Sequence, residues 1–142
     1  MTAEARKRIA RKSFRFSMAS DPKNVHRVEQ FLLKMNSSLK FSDEQLGTLL
    51  VVVTEAVNNA IIHGNRRNAS KKVVVTGTVQ DHLLLIKVKD EGKGFDPRGI
   101  PNPIDEGNLL RESGRGVFLM RQLAENVSYN SRGNEVTMKI RF

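Results

Sequence analysis

Glu55-Ala56-Val57-Asn58-Asn59-Ala60-Ile61-Ile62-His63-Gly64 is the stretch whose reading decides the fold of this chain. Read outward from it, Leu46, Leu49, Leu50, Val53, Val57, Ala60 and Ile61 recur at helical spacing, so one face of a long helix is apolar. Ser42 and Gln45 form a capping-box pattern at its start and Gly64 ends it, which predicts a helix from Ser42 to about His63. Glu55, Asn59 and His63, spaced i, i+4, i+8, draw one polar line along that helix. Such a line fits an exposed hydrophilic edge. It also fits a carboxylate acting as a general base one turn from a carboxamide oxygen that holds Mg²⁺, a cation that takes hard oxygen donors.

The flanks supply a sheet for this helix to cover. Residues 13–18 alternate Phe14, Phe16 and Met18 with Ser13, Arg15 and Ser17, the period-2 pattern of a strand with one buried face. Asp21 and Pro22 open a helix over about 22–36, carrying Val25, Val28, Phe31, Leu32 and Met35. Residues 65–71 read as a loop. Residues 72–79 and 82–89 read as an antiparallel hairpin turning at Gln80-Asp81. Residues 91–113 hold Gly92, Gly94, Gly99, Gly107, Pro97, Pro101 and Pro103 with no apolar period, a length at which loops tend to be lids or binding loops. A third helix follows Gly116, and residues 127–131 and 135–142 form a last hairpin around Arg132-Gly133-Asn134. The expected fold is an α/β two-layer sandwich: a mostly antiparallel sheet of about five strands, with three helices on one face.

Composition bounds the function. The chain has 142 residues, suited to one domain, and 39% hydrophobic against 27% charged residues, the balance of a globular protein. No continuous apolar run approaches the ~18–20 residues of a membrane span, so no membrane partner is expected. With no cysteine, disulfides, thiolate metal sites and Cys nucleophiles are excluded. Of the net charge of +9, residues 1–15 supply +5, from Arg6, Lys7, Arg8, Arg11, Lys12 and Arg15 against Glu4. Residues 1–12 therefore read as a basic arm before a domain spanning 13–142. That arm reads as a solvated segment or as a docking arm for an acidic protein. Direct nucleic-acid binding is not expected, because only Phe14 and Phe16 could stack and both fall in a strand. The basic start lacks a signal-peptide apolar stretch, so a cytoplasmic location is expected.

Two further segments break the rules of their elements, as functional segments tend to. In Asp90-Glu91-Gly92-Lys93-Gly94-Phe95, a strand-end Asp can accept a hydrogen bond from an exocyclic amine, and the glycines allow close approach of a ligand; a simple turn is the plainer reading. In Ser113-Gly114-Arg115-Gly116-Val117, a glycine-rich helix start offers free N–H groups to an anion, with Arg115 as a charged supplement, or is a flexible joint.

The three segments in this order resemble the N box and the two glycine boxes of the GHKL ATPase superfamily with its Bergerat fold. The closer likeness is to the small anti-sigma-factor serine kinases of the RsbW and SpoIIAB type. It covers about residues 13–142. The resemblance implies Glu55 as the catalytic base, Asn59 as the Mg²⁺ ligand, and Asp90 as the partner of the adenine amine. It further implies Gly92 and Gly94 against base and ribose, Gly114, Arg115, Gly116 and Val117 around the phosphates, and residues 95–113 as an ATP lid. The implied function is a Mg-ATP-dependent serine/threonine kinase and anti-sigma factor. It would phosphorylate a STAS-type anti-anti-sigma protein, sequester a sigma factor in a partner-switching system, and act as a homodimer. The alternative is a non-catalytic, ATP-gated binding module sharing every site residue except the need for Glu55 as an acid–base group.

Overall fold

Ser42 caps the central helix as its sequence pattern requires. Its Oγ accepts from the Gln45 N–H at 3.1 Å, and the Gln45 side chain accepts from the Ser42 N–H at 3.0 Å, so two otherwise unpaired helix-start donors are satisfied. This architecture comes from a computed structural model, which describes residues 12–93 and 124–142.

The element order is β1 (Lys12–Ala19), a 3-10 turn (Pro22–Asn24), α1 (Val25–Leu39), α2 (Asp43–Asn59) continued by a π-helical turn (Ala60–Gly64), β2 (Lys72–Gln80), β3 (Leu83–Lys89), β4 (Asn126–Tyr129) and β5 (Glu135–Arg141). The strands form one sheet in the order β1-β2-β3-β5-β4, with every neighbouring pair antiparallel. Register aligns Phe16, Val75, Val88 and Val136 across four strands, and Ile86 with Gly77 and Met138. That face is buried apart from half-buried Phe16 on the edge strand, while its alternates, such as Arg15, Lys87 and Lys139, are exposed. Val28, Leu32 and Met35 of α1 and Leu49, Val52, Val53, Ala56, Val57 and Ile61 of the α2 segment cover it, all 2% exposed or less. The helical stripe and the period-2 stripe therefore meet in one core, giving the expected two-layer sandwich with five strands.

Several boundaries differ from the sequence reading. The helix expected over 22–36 starts as a 3-10 turn, with the Asp21 side chain accepting from Lys23 N–H, and runs on to Leu39, where Lys40 takes a left-handed conformation (φ 56°). The first hairpin turns at Asp81-His82, one residue later than expected. Asp81 adopts φ 55°, which Asp tolerates better than Gln, and Gln80 stays paired with Leu83. The last hairpin's first strand ends at Tyr129 rather than Ser131, because the Asn130 Oδ1 accepts from the Gly133, Asn134 and Glu135 N–H groups and folds the chain there. Two long helices lie among the described residues. The third expected helix and the basic arm, apart from Lys12, lie outside them.

Residues Asp43–Gly64 have the length and mean hydropathy (1.4) of a membrane span. Their apolar stripe is instead committed to the sheet: Leu49, Val52, Val53, Val57 and Ile61 are fully buried.

Candidate active site at the end of the central helix

The last turn of the central helix widens. Asn65 N–H reaches back to Ala60 O at 2.8 Å and Arg67 N–H to Ile61 O at 2.7 Å, so the helix closes in a π turn directly after Asn59. Such turns recur where a helix must re-aim side chains. The turn brings Gly64 against the chain leaving β3. A side chain at Gly64 would run into the carboxyl group of Asp90, and one at Gly92 into the backbone of Gly64. Glycine is needed at both positions because the two segments touch, not because of an unusual φ.

Asp90 is thereby buried (7% exposed) at the end of β3, facing α2. Its Oδ1 accepts from the Gly92 N–H at 2.8 Å. Burial pushes its carboxyl above the ordinary carboxylate range, an effect opposed by the Gly92 hydrogen bond and by the charges of Arg132 and Lys71. Ala56, Asn59 and Ala60 of the helix and Val88, Asp90 and Asn134 of the sheet line a shared cavity of about 20 Å³, the size of a water molecule. The structure thus brings Asn59 and Asp90, 31 positions apart in sequence, to one place. Asn59 Nδ2 is buried with no hydrogen-bond partner among the described residues. A buried amide left this way costs about 1–3 kcal/mol, so a ligand oxygen has a donor waiting for it.

Glu55 lies one turn before Asn59 on the same helix and is half-buried, whereas His63 at the end of the polar line is exposed. The line therefore divides: Asn59 lines the cavity, Glu55, one turn earlier and half-buried, is not among its lining residues, and His63 faces solvent. Gly92 lies at the Asp90 loop as expected. Gly94, Gly114, Arg115, Gly116, Val117 and the proposed lid over 95–113 lie outside the described residues.

Two buried asparagines that the sequence reading passed over surround Asp90. Asn65 (1% exposed) accepts the Glu91 N–H on Oδ1 at 2.8 Å and donates from Nδ2 to Ser20 Oγ at 2.5 Å and to Lys72 O at 2.9 Å. Asn134 donates to Asp90 O at 3.2 Å, and its own carbonyl accepts the Asp90 N–H at 2.9 Å. In sequence Asn65 stands in a polar loop and Asn134 beside a turn glycine, where asparagine is commonplace. Nothing in the pattern distinguishes them.

The family model described as the histidine kinase-like ATPase domain matches residues 18–140. The anti-sigma F factor of Bacillus subtilis is 32% identical over 120 residues, spanning 82% of this chain and 80% of that protein. The serine-protein kinase RsbW of Oceanobacillus iheyensis is 30% identical over 109 residues, spanning 72% and 68%. The solved RsbU and RsbW domains of a Mycobacterium tuberculosis protein superpose with a TM-score of 0.65 at 14% identity, over 92% of this chain and 32% of that one, a likeness of fold. With the family model matching most of the chain, and helix end, strand-end Asp and glycine approach in place, this chain belongs to the histidine kinase-like ATPase domain family, alongside the anti-sigma F factors and RsbW-type serine kinases.

Proposed function

We propose that this protein is an ATP-dependent serine/threonine kinase and anti-sigma factor of a partner-switching system, acting in the cytoplasm. The observation that carries the chemistry is the meeting of Asn59, whose buried Nδ2 has no hydrogen-bond partner among the described residues, with buried Asp90 across one cavity. The names of the relatives supply the direction of the reading: ATP use, a sigma factor as target, and a protein substrate. The finer assignments are a STAS-type anti-anti-sigma protein as substrate, a homodimeric state, and a catalytic domain over 13–142 preceded by a basic arm.

In this reading Asp90 accepts a hydrogen bond from the exocyclic amine of adenine, and Gly92, with Gly94, lets the base and ribose lie against backbone, while Gly64 makes room for the Asp90 carboxyl itself. Asn59 would hold Mg²⁺ through its carboxamide oxygen, leaving its Nδ2, without a partner among the described residues, to donate to a phosphate oxygen. When bound, Mg²⁺ neutralises charge on the phosphate oxygens. Gly114, Arg115, Gly116 and Val117 are assigned to the phosphates and Gly94 to the ribose side. Glu55 takes the proton of the attacking hydroxyl as its oxygen bonds to the γ-phosphorus and the bond to the β-phosphate oxygen breaks, leaving ADP. Positioning and charge stabilisation carry most of such a transfer, so one base, one carboxamide and backbone donors suffice.

The test is Glu55→Gln, assayed with ATP, Mg²⁺ and a STAS protein from the same genome. General-base loss costs ~10²–10⁴-fold in rate without a matching loss of affinity. ATP binding and the partner complex should persist while phosphate transfer drops by that factor. Transfer at the wild-type rate would remove Glu55 from the mechanism, and no transfer by the unmutated protein would favour the non-catalytic binding module.

A further inference from the structure

Beyond Lys89 the backbone leaves the sheet ladder, so the peptide joining Asp90 to Glu91 must find its hydrogen bonds elsewhere. Its two polar groups point in opposite directions, as in any trans peptide. The Asp90 carbonyl is taken by Asn134 Nδ2 at 3.2 Å, and the Glu91 N–H by Asn65 Oδ1 at 2.8 Å. Side-chain amides 69 positions apart in sequence therefore grip one peptide unit from both sides, and that peptide sets the direction of the Asp90 carboxyl and of the Gly92 N–H bonded to it.

Asn65 is itself immobilised. Lys72 O accepts only and Glu91 N–H donates only, so the carboxamide orientation is dictated by its partners. Ser20 Oγ donates to Lys71 O at 2.8 Å and accepts from Asn65. Every Asn65 side-chain hydrogen and its oxygen is thus used, in a site 1% exposed, tying the ends of β1 and the helix and the start of β2 to the Asp90 loop. Asn134 is held likewise by Asn130, whose Nδ2 donates to Asn134 Oδ1 at 2.6 Å.

We infer that Asn65 is a positioning residue for nucleotide-base selection: it fixes the Asp90–Glu91 peptide, and so the carboxylate that reads the adenine amine, without touching the nucleotide. The inference rests on the assignment of Asp90 to the base. A carboxylate whose peptide is free to rotate still accepts hydrogen bonds but loses its fixed aim, so discrimination between a base with an amine and one with a carbonyl falls along with affinity.

The test uses the full-length chain with ATP and GTP as probes, titrated calorimetrically well below each variant's melting temperature. Asn65→Ala should weaken ATP binding about 5–15-fold, the worth of one buried hydrogen bond, and narrow the ATP-to-GTP preference. Ser20→Ala, which removes a support of Asn65 away from the Asp90 loop, should lower stability yet leave the preference unchanged. Asn65→Asp keeps the acceptor for Glu91 N–H but loses the bond to Lys72 O, so it should be at least as unstable as Asn65→Ala and keep more of the preference. Amide exchange at Glu91 gives a readout free of ligand: slow in the unmutated chain and in Asn65→Asp, fast in Asn65→Ala. Retention of the ATP preference in Asn65→Ala, or a loss that follows stability across all three variants, overturns the inference while leaving Asp90 in its role. An unmutated protein that binds both nucleotides equally, or neither, overturns the assignment of Asp90 and this inference together.

Discussion

Two glycines of the central helical segment should respond to alanine with opposite signs. At Gly47 a Cβ would meet nothing within 4 Å, and the position is exposed in the helix interior. Alanine there reduces the conformational entropy lost on folding and should stabilise by about 1 kcal/mol. At Gly64 a Cβ would press into the Asp90 carboxyl, including Oδ1 at 2.8 Å, and Asp90 cannot turn away cheaply, since its N–H, carbonyl and Oδ1 are all engaged. Overpacking of this kind costs about 1–3 kcal/mol. With an unfolding entropy of ~2.1 cal/mol/K per residue, roughly 0.3 kcal/mol/K for this chain, the two variants should melt about 7–13 °C apart. Scanning calorimetry without nucleotide measures that gap, and ATP titration should show binding weakened in Gly64→Ala and unchanged in Gly47→Ala. A Gly64→Ala protein that melts at or above the unmutated temperature would refute the close approach of the helix end to Asp90, and with it the construction of the site.

Asp90→Asn should trade affinity for stability. The folded carboxyl is held above its unfolded value, so its contribution to stability is complete below pH ~3.8 and is lost as the pH rises through the raised folded value. At pH 7 the nucleotide-free Asn variant should therefore melt higher than the unmutated protein, with the gap closing towards pH 4, while ATP binds about 10–100-fold more weakly for want of a charge-assisted bond. A gap that does not change with pH would show that burial of the charge is not its source. Lys40→Gly, at the left-handed cap of α1 (φ 56°), should stabilise by about 0.5–1 kcal/mol in denaturant unfolding, since glycine takes this conformation without Cβ strain; a loss of stability would mean the Lys40 side chain contributes more than its backbone costs.

Sequence by itself determined the layers of this protein. Alternation in residues 72–89 and 135–141 assigns one sheet face to the core, the 3- and 4-residue spacing from Leu49 to Ile61 assigns one helix face to it, and Ser42 with Gln45 marks where that helix begins. These signals are local: each is written within two or three turns, or within one strand, because burial repeats with the period of the backbone. Glu55, Asn59, Asp90 and Gly92 could also be picked out, since a polar line on an apolar helix and an acid at a strand end each contradict their surroundings. Only the tertiary structure decided that Asn59 and Asp90 share a cavity while His63 of the same polar line does not, that Gly64 and Gly92 must be bare because two segments touch, and that Asn65 and Asn134 grip the same peptide. These depend on contacts across 26 to 44 positions. A hydrogen bond between distant side chains leaves no period in the sequence, and an asparagine that clamps a buried peptide is spelled the same as one that turns a loop.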